Sequence, residues 1–397
     1  MASEEFIWEE VSIKSVEDSA QLKADIERLL KSYAAQASLD HNLTWLATRE
    51  GEKDKAAKIF LCWSNGSLVG YAPFLGHPSS LGVDFAGRKV IQAKVFRYSL
   101  TRGPVIDSNI RNTELFCKNL VSALTASLQP NEIAFFLGLE LEAPLGLYVL
   151  SNTAASAHVM AMKHGDSYQR RLIEFTNGFD GYMADLSSKN RQELKRQERK
   201  LIAVADENFE TKSYTNAEDV EEFLKYAAKL SEKTYQSKLF GLRIIESEEV
   251  KLRLKSAAHE GWLRCYILFV DSAPAAFMQG YLYMGTYYSE TIGYDPAWSK
   301  FSVGNVLHIQ VTRDITASGF KVAFFDFMYG DNPNKSRLSN RSRLEQNIYL
   351  APRTWRWRIL ITTIGMLNKA IEFLGAMADR HDLKSKFKRH LKHRATQ

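Results

Sequence analysis

Residues 286–305 hold the densest set of groups suited to chemistry. The run T-Y-Y-S-E-T-I-G-Y reads as a strand, D-P-A-W-S-K-F-S-V-G as a loop, and 304–318 as a helix opened by Ser302, Val303 and Gly304. The first turn of a helix presents unpaired N–H groups and a partial positive charge, which together suit a diphosphate. Gly304 would let the backbone approach the phosphates, and Lys300 would add a point charge. The same residues also read as an ordinary serine N-cap. The order of strands around them favours the anion site.

Glu290 lies mid-strand. Alternation places it on one face with Tyr288, Ile292 and Tyr294, where a carboxylate among aromatics is a fit general base. At a sheet edge it would be a solvated carboxylate instead. Asp326 sits inside A-F-F-D-F-M and needs partners if buried. It is either a base or the anchor of Lys335 or Arg337. His308 reads as a satisfied helical histidine. There is no Ser-His-Asp order, no G-x-S-x-G and no metal-ligand spacing, so neither a covalent serine mechanism nor a metal is expected. Lys189, Arg191, Lys195, Arg196, Arg199 and Lys200 crowd a helix at 187–200, with Arg191, Lys195 and Arg199 in one i+4 stripe. Such a stripe is either a solvated face or a contact for an anionic partner.

These residues need a scaffold, and the chain spells one twice. The first copy has a helix at 16–38, the hairpin K-I-F-L-C-W, S-N-G-S, L-V-G-Y-A-P-F-L-G, a strand at 89–96, a helix at 113–128 and the strand E-I-A-F-F-L-G-L. The second has helices at 217–238 and 246–259, the hairpin L-R-C-Y-I-L-F-V, D-S-A-P, A-A-F-M-Q-G-Y-L-Y-M, the 286–294 strand, the 304–318 helix and V-A-F-F-D-F-M-Y-G. This is a pattern match with little residue identity. The join falls near 151–180. Residues 354–378 form an amphipathic helix, and 380–394 carry seven Lys or Arg residues. That end suits either an anionic membrane surface or a capping helix with a frayed tail.

At 397 residues the chain exceeds what one hydrophobic core usually supports, so two domains are expected. The net charge of +6 suits a polyanionic ligand without choosing among CoA, phospholipid and nucleic acid. Cys62, Cys117 and Cys265 lie in apolar runs without C-x-x-C spacing and read as buried thiols. The acidic N-terminus lacks a signal-peptide pattern, and no apolar run reaches about 18 residues, so a cytoplasmic protein is expected, with a peripheral place at the inner membrane face as an option.

Three pieces together resemble a known family. They are Leu186-Ser187-Ser188-Lys189-Asn190-Arg191 followed by E-L-K-R-Q-E-R-K-L, Gly293-Tyr294-Asp295-Pro296-Ala297 followed by Ser302-Val303-Gly304, and Asp326-Phe327 followed by Gly330-Asp331 and Lys335. The chain resembles the GNAT acyltransferases, in the CelD-like branch associated with polysaccharide biosynthesis and related to the FemAB/FemX transferases. It departs from the usual phosphate loop in having one glycine between Trp298 and Asn305, and Val303 stands where that branch usually has proline.

The resemblance implies an α/β (α+β) fold of two tandem GNAT-like domains, each a mixed central sheet flanked by helices, plus the C-terminal amphipathic basic helix. The expected bounds are 1–160 (a degenerate copy), 161–350 (the acyltransferase copy) and 351–397. It implies acetyl-CoA or another acyl-CoA as co-substrate, no metal, and direct attack by an amine or hydroxyl. Ile292, Gly293, Tyr294, Lys300, Ser302, Val303, Gly304 and Asn305 would hold the cofactor. Glu290, Asp326 and Tyr329 would be catalytic, Tyr329 as acid for the leaving thiolate, though core packing explains it equally. Lys189, Arg191, Lys195, Asp331 and Lys335 would meet the acceptor, plausibly a sugar of envelope or exopolysaccharide synthesis. The alternatives are a FemX-like transferase using aminoacyl-tRNA, the one case in which nucleic acid would bind, and a non-catalytic scaffold at the membrane. The first copy is expected to form one wall of the acceptor cleft.

Overall fold

The computed structural model describes residues 5–85, 88–152, 159–205, 208–233, 244–317, 319 and 321–380. The basic tail expected at 380–394 lies outside the described residues from 381 onward.

The first half opens with β1 (Ile7–Val11), α1 (Ile13–Glu17), α2 (Ala20–Ser32) and α3 (Leu43–Glu50). The single helix expected at 16–38 is broken because Ser19 caps α2, its hydroxyl accepting from Leu22 N at 3.2 Å. The hairpin β2 (Ala56–Ser64) and β3 (Ser67–Phe85) turns at Asn65 and Gly66, with φ of 50° and 75°. Two positive φ angles give the turn twist that a two-residue hairpin needs. Then follow β4 (Arg88–Thr101), β5 (Val105–Ile106), α4 (Thr113–Ser127), β6 (Glu132–Glu140), α5 (Pro144–Asn152) and β7 (Val159–Glu174).

The second half repeats the order: α6 (Gly178–Asp185), α7 (Ser188–Val204), β8 (Phe209–Tyr214), α8 (Val220–Lys233), α9 (Glu248–His259), and the meander β9 (Cys265–Val270), β10 (Ala273–Tyr283), β11 (Thr286–Tyr294). Its two turns, Asp271-Ser272 and Met284-Gly285, again hold positive φ. A 3-10 turn (Pro296–Phe301) leads to α10 (Val303–Ala317), then β12 (Phe324–Asp326), α11 (Pro333–Leu338), β13 (Arg341–Pro352) and α12 (Trp355–Arg380).

All strands join one sheet, ordered β1-β2-β3-β4-β6-β13-β7-β12-β11-β10-β9-β8, with β5 beside β3. The halves trade their last strands. β13, from the end of the second half, lies antiparallel to β6 of the first. β7, which ends the first half, lies antiparallel to β12 of the second. β13 and β7 pair with each other from Arg341↔Leu172 to Pro352↔Val159. The region read as a join thus holds a long strand whose middle is solvent-exposed, which hides the hydrophobic alternation that marks strands. Helix α12 docks on the first half, burying Trp357, Ile361 and Ile364 against Leu81, Val83, Val95 and Phe135.

Candidate active site

β11 pairs with β10 along its length but with β12 only from Thr286 to Tyr288. Beyond Tyr288 it parts from β12, and its edge there has no β12 partner in the ladder. At the same point the register with β10 slips: Gln279 faces Thr291 and Gly280 faces Ser289, so Glu290 is the extra, bulged residue. Gly280 permits this, since a Cβ there would sit 2.7 Å from the Tyr288 carbonyl oxygen. A bulge re-aims a side chain, and Glu290 turns into a cavity of about 470 Å³ lined by both halves.

Glu290 accepts a hydrogen bond from Gln279 Nε2, which also donates to the Tyr281 hydroxyl at 3.3 Å. Tyr288 and Tyr329 line the cavity beside it, and the first half contributes Asp40, His77, Arg97, Ser99 and Thr101. The first half is therefore one wall of the cleft. Ile292 and Tyr294 lie further along β11 and are exposed.

Asp326 is buried and does not line the cavity. Its partner is neither Lys335 nor Arg337 but Arg170, in a two-pronged pair with Nε–Oδ1 at 2.7 Å and Nη2–Oδ2 at 2.8 Å. The Met328 amide adds a bond of 2.8 Å to Oδ1. Burial alone would raise the Asp326 carboxyl, but the charge and hydrogen bonds of Arg170 outweigh it and hold the carboxyl below its ordinary range. Asp326 thus positions Arg170, which lines the cavity and stands 4.6 Å over the Tyr329 ring. The Tyr329 hydroxyl meets Thr101 Oγ1 at 3.3 Å. Burial pushes its pKa up, so it is protonated near neutrality and able to donate. Lys335 braces the same loop through the carbonyls of Tyr329 (2.6 Å) and Gly330 (3.1 Å); burial, then the charge of Arg170, lower it to about 8. Asp331 is paired with Arg171 at 2.8 Å.

β11 also leads to the expected anion site. Asp295 caps the 3-10 turn by accepting from Ala297 N at 3.0 Å. Ser302 takes the left-handed conformation (φ 56°, ψ 40°) and turns the chain into α10. Val303 is wholly buried, so its side chain anchors the helix start and only its backbone is on offer. Gly304 has an ordinary helical φ and packs beside Tyr294, where a Cβ would stand 3.5 Å from Cδ1. Its role is close approach, without any conformational demand. Lys200 Nζ donates to the Lys300 carbonyl at 3.1 Å, and both ammonium groups gather over Phe301, 5.2 Å and 4.9 Å from its centroid. Two cations beside first-turn amides fit a diphosphate. Asn305 is held between Gln197 and Asn334 at 3.0 and 3.1 Å.

The three α7 residues expected to meet the acceptor differ in their surroundings. Arg191 spends Nη1 on the carbonyls of Met183 and Ala184 at 3.0 Å each, closing the end of α6. Lys189 and Lys195 are exposed, and none of the three lines the cleft. His308 is buried among Phe325 and Phe327, and burial lowers it to about 3. It is an aromatic core residue but not the satisfied histidine expected, since its Nε2 is buried without a hydrogen-bond partner.

Sequence reasoning missed Arg97, Arg170 and Asp40. Arg170 lies in the polar stretch mistaken for a join. Asp40, bonded by Trp45 Nε1 at 3.2 Å, lies in a single 3-10 turn (Leu39–His41) too short to show periodicity.

Residues 188–336 match the family model described as the acetyltransferase (GNAT) domain. A crystal structure of FemX is similar over 85% of this chain and 98% of its own, at 11% identity and a TM-score of 0.60. A tandem GNAT protein from the clavulanic acid biosynthesis pathway, determined without AcCoA, is similar over 88% of this chain and 98% of its own, at 11% identity and a TM-score of 0.51. Among curated proteins, none matches.

Proposed function

Starting from a GNAT-type acyltransferase domain set in a tandem GNAT fold, we propose that this chain moves an acyl group, acetyl first among them, from an acyl-CoA to an amine or hydroxyl of a small polar acceptor. A sugar precursor of envelope or exopolysaccharide is the acceptor class favoured by the resemblance. The observation that carries the reading is the parting of β11 from β12 directly beside the bulged Glu290. It leaves the rest of β11 without a β12 partner as far as Tyr294, against which Gly304 at the start of α10 packs.

The residues divide the work. The first-turn amides of α10, with Lys200 and Lys300, would hold the diphosphate. An acyl-CoA bound there would supply the activated thioester. Backbone amides on the unpartnered edge of β11 can donate to a developing oxyanion. Glu290 takes the proton of the attacking amine or hydroxyl, directly or through one water. The protonated Tyr329 hydroxyl is the donor for the departing thiolate. Arg170, fixed by Asp326, holds Tyr329 in place from above its ring.

The test is release of free CoA thiol from acetyl-CoA in the presence of a panel of amino sugars and hydroxylated sugars, with product mass read in parallel. Acceptor-dependent thiol release with a matching acetylated product supports the reading. Absence of acyl-CoA binding would overturn it. The similarity to FemX keeps aminoacyl-tRNA as the second donor to try. The exposed Lys189, Lys195 and Arg199 of α7 would then contact RNA phosphates, and tRNA binding without acyl-CoA binding would select that donor.

Among the described residues no helix is long and apolar enough to cross a membrane. Helix α12 nevertheless exposes Trp355, Ile359, Met366 and Phe373, at spacings of 4, 7 and 7, in one stripe, with Arg356, Arg358 and Lys369 exposed near it. We read this face as a peripheral contact with anionic lipid.

A further inference from the structure

The cleft contains polar groups that the acyl-transfer chemistry leaves unused. Arg97, Ser99 and Thr101 are alternate residues of β4 and all line the cavity. At about 3.3 Å per residue they span roughly 13 Å along one face. Thr101, at one end, touches Tyr329. Arg97, at the other, lies opposite His77 of β3 as a direct cross-strand neighbour.

Arg97 has no carboxylate within ion-pair distance among the described residues. Its guanidinium lies 4.8 Å over the Phe135 ring. Nη2 donates to His77 Nε2 at 3.0 Å, and Nη1 reaches the Tyr349 hydroxyl at 3.4 Å. Because His77 Nε2 accepts, its proton is on Nδ1, facing the Pro78 carbonyl at 3.0 Å. His77 is thus neutral and leaves the Arg97 charge uncancelled. Arg97 Nε is buried without a hydrogen-bond partner, as is the Ser99 hydroxyl. Further along the cavity, Arg170 Nη1 is also buried without a hydrogen bond, with the Glu345 carboxylate 3.8 Å away. Buried donors are nearly always satisfied in native proteins, so several unsatisfied ones along one cavity call for a ligand.

We propose that the Arg97–Ser99 end of the cleft binds an oxyanion, phosphate or carboxylate, carried by the acceptor, and so points the nucleophile at the Glu290 and Tyr329 end. This rests on the reading of the cleft as the acceptor site. It names the acceptor as a monosaccharide-sized anion and moves its recognition from α7 to β4. A cavity of about 470 Å³ suits a ligand of that size. Arg97 supplies the charge, its planar fork favours phosphate or carboxylate, and Ser99 supplies a neutral donor.

The experiment is equilibrium binding of glucose 1-phosphate, glucuronate and glucose, without acyl-CoA, to the unmodified chain and to Arg97→Gln, Ser99→Ala and Gly304→Glu. At least one of the two anions binds, and neutral glucose binds at least tenfold more weakly. Arg97→Gln weakens the anion at least tenfold, Ser99→Ala severalfold, and Gly304→Glu leaves it unchanged. Which anion binds more tightly distinguishes phosphate from carboxylate. Equal binding of glucose, no binding of either anion, or loss in Gly304→Glu with retention in Arg97→Gln would each overturn the proposal. Should Arg97→Gln fail to fold, the comparison of anions with glucose on the unmodified chain and the Ser99→Ala result still decide it. Anion binding that persists while acetyl-CoA fails to bind removes the acyl-CoA reading alone. The reverse removes only the anion site.

Discussion

Glu290 and Asp326 are both carboxylates in the second-half sheet, and the structure gives them different work. Glu290 lines the cleft, where it is the proposed base. Glu290→Gln keeps the shape and removes the base, so kcat is expected to fall about 10²-fold or more while KM for acetyl-CoA changes little. Steady-state kinetics over both substrates checks this, and an unchanged kcat would remove Glu290 from the chemistry. Asp326 is committed to a buried guanidinium. Removing one partner of a buried pair leaves an uncompensated charge, so Asp326→Ala is expected to cost about 3–5 kcal/mol of stability in urea unfolding. A change below about 1 kcal/mol would contradict its anchoring role. At this scale the sequence showed the need without the answer. A carboxylate inside A-F-F-D-F-M demands a cation, but Arg170 is 156 positions away and lies in a polar stretch. Arg97 and Asp40 were illegible for a related reason: half-buried charges leave no trace in hydrophobic periodicity.

The elements that place the site are a splayed strand and a helix start. In the first half β4 pairs with β6 to its last residue, from Phe96↔Glu132 to Thr101↔Leu137, so its edge stays partnered there. In the second half the corresponding pairing stops after three residues. That contrast is why the proposed cofactor site is assigned to the second copy, while the first supplies a wall of the cleft. The hairpins were legible because Asn-Gly and Met-Gly turns punctuate apolar runs. α10 was legible from its periodicity to within a residue. β7 and β13 were not, because their exposed and charged positions mask alternation. Both are central strands, and β13 ties the halves together through β6 and β7. A continuous sheet should therefore unfold as one unit. Calorimetry is expected to show a single transition, and Ile348→Pro, at a buried β13 position, to lower the whole of it by about 3 kcal/mol or more. Two separate transitions, with only one shifted, would contradict that coupling.

At the scale of the molecule, two copies of one plan share a sheet, enclose a cleft and carry an amphipathic helix on one flank. The duplication was readable as a repeated order of elements. The exchange of last strands was not, because it depends on pairing between distant segments. Helix α12 gives the molecule an apolar, cation-flanked face. Trp355→Asp with Ile359→Asp is expected to reduce sedimentation with anionic phospholipid vesicles about tenfold or more, with little binding to zwitterionic vesicles in either form. Equal binding to both kinds of vesicle, or none, would contradict the lipid contact.

The central claim is that α10 opens on a CoA diphosphate, and Gly304 tests it most directly. A carboxylate at a helix start favours the helix by roughly 0.3–1 kcal/mol, so Gly304→Glu should fold as well as the parent. The same carboxylate would repel a diphosphate. Calorimetric titration with acetyl-CoA is expected to show binding by the parent and loss of at least tenfold in Gly304→Glu. Equal binding by both, or no binding of acetyl-CoA or longer acyl-CoAs by the parent, would contradict it.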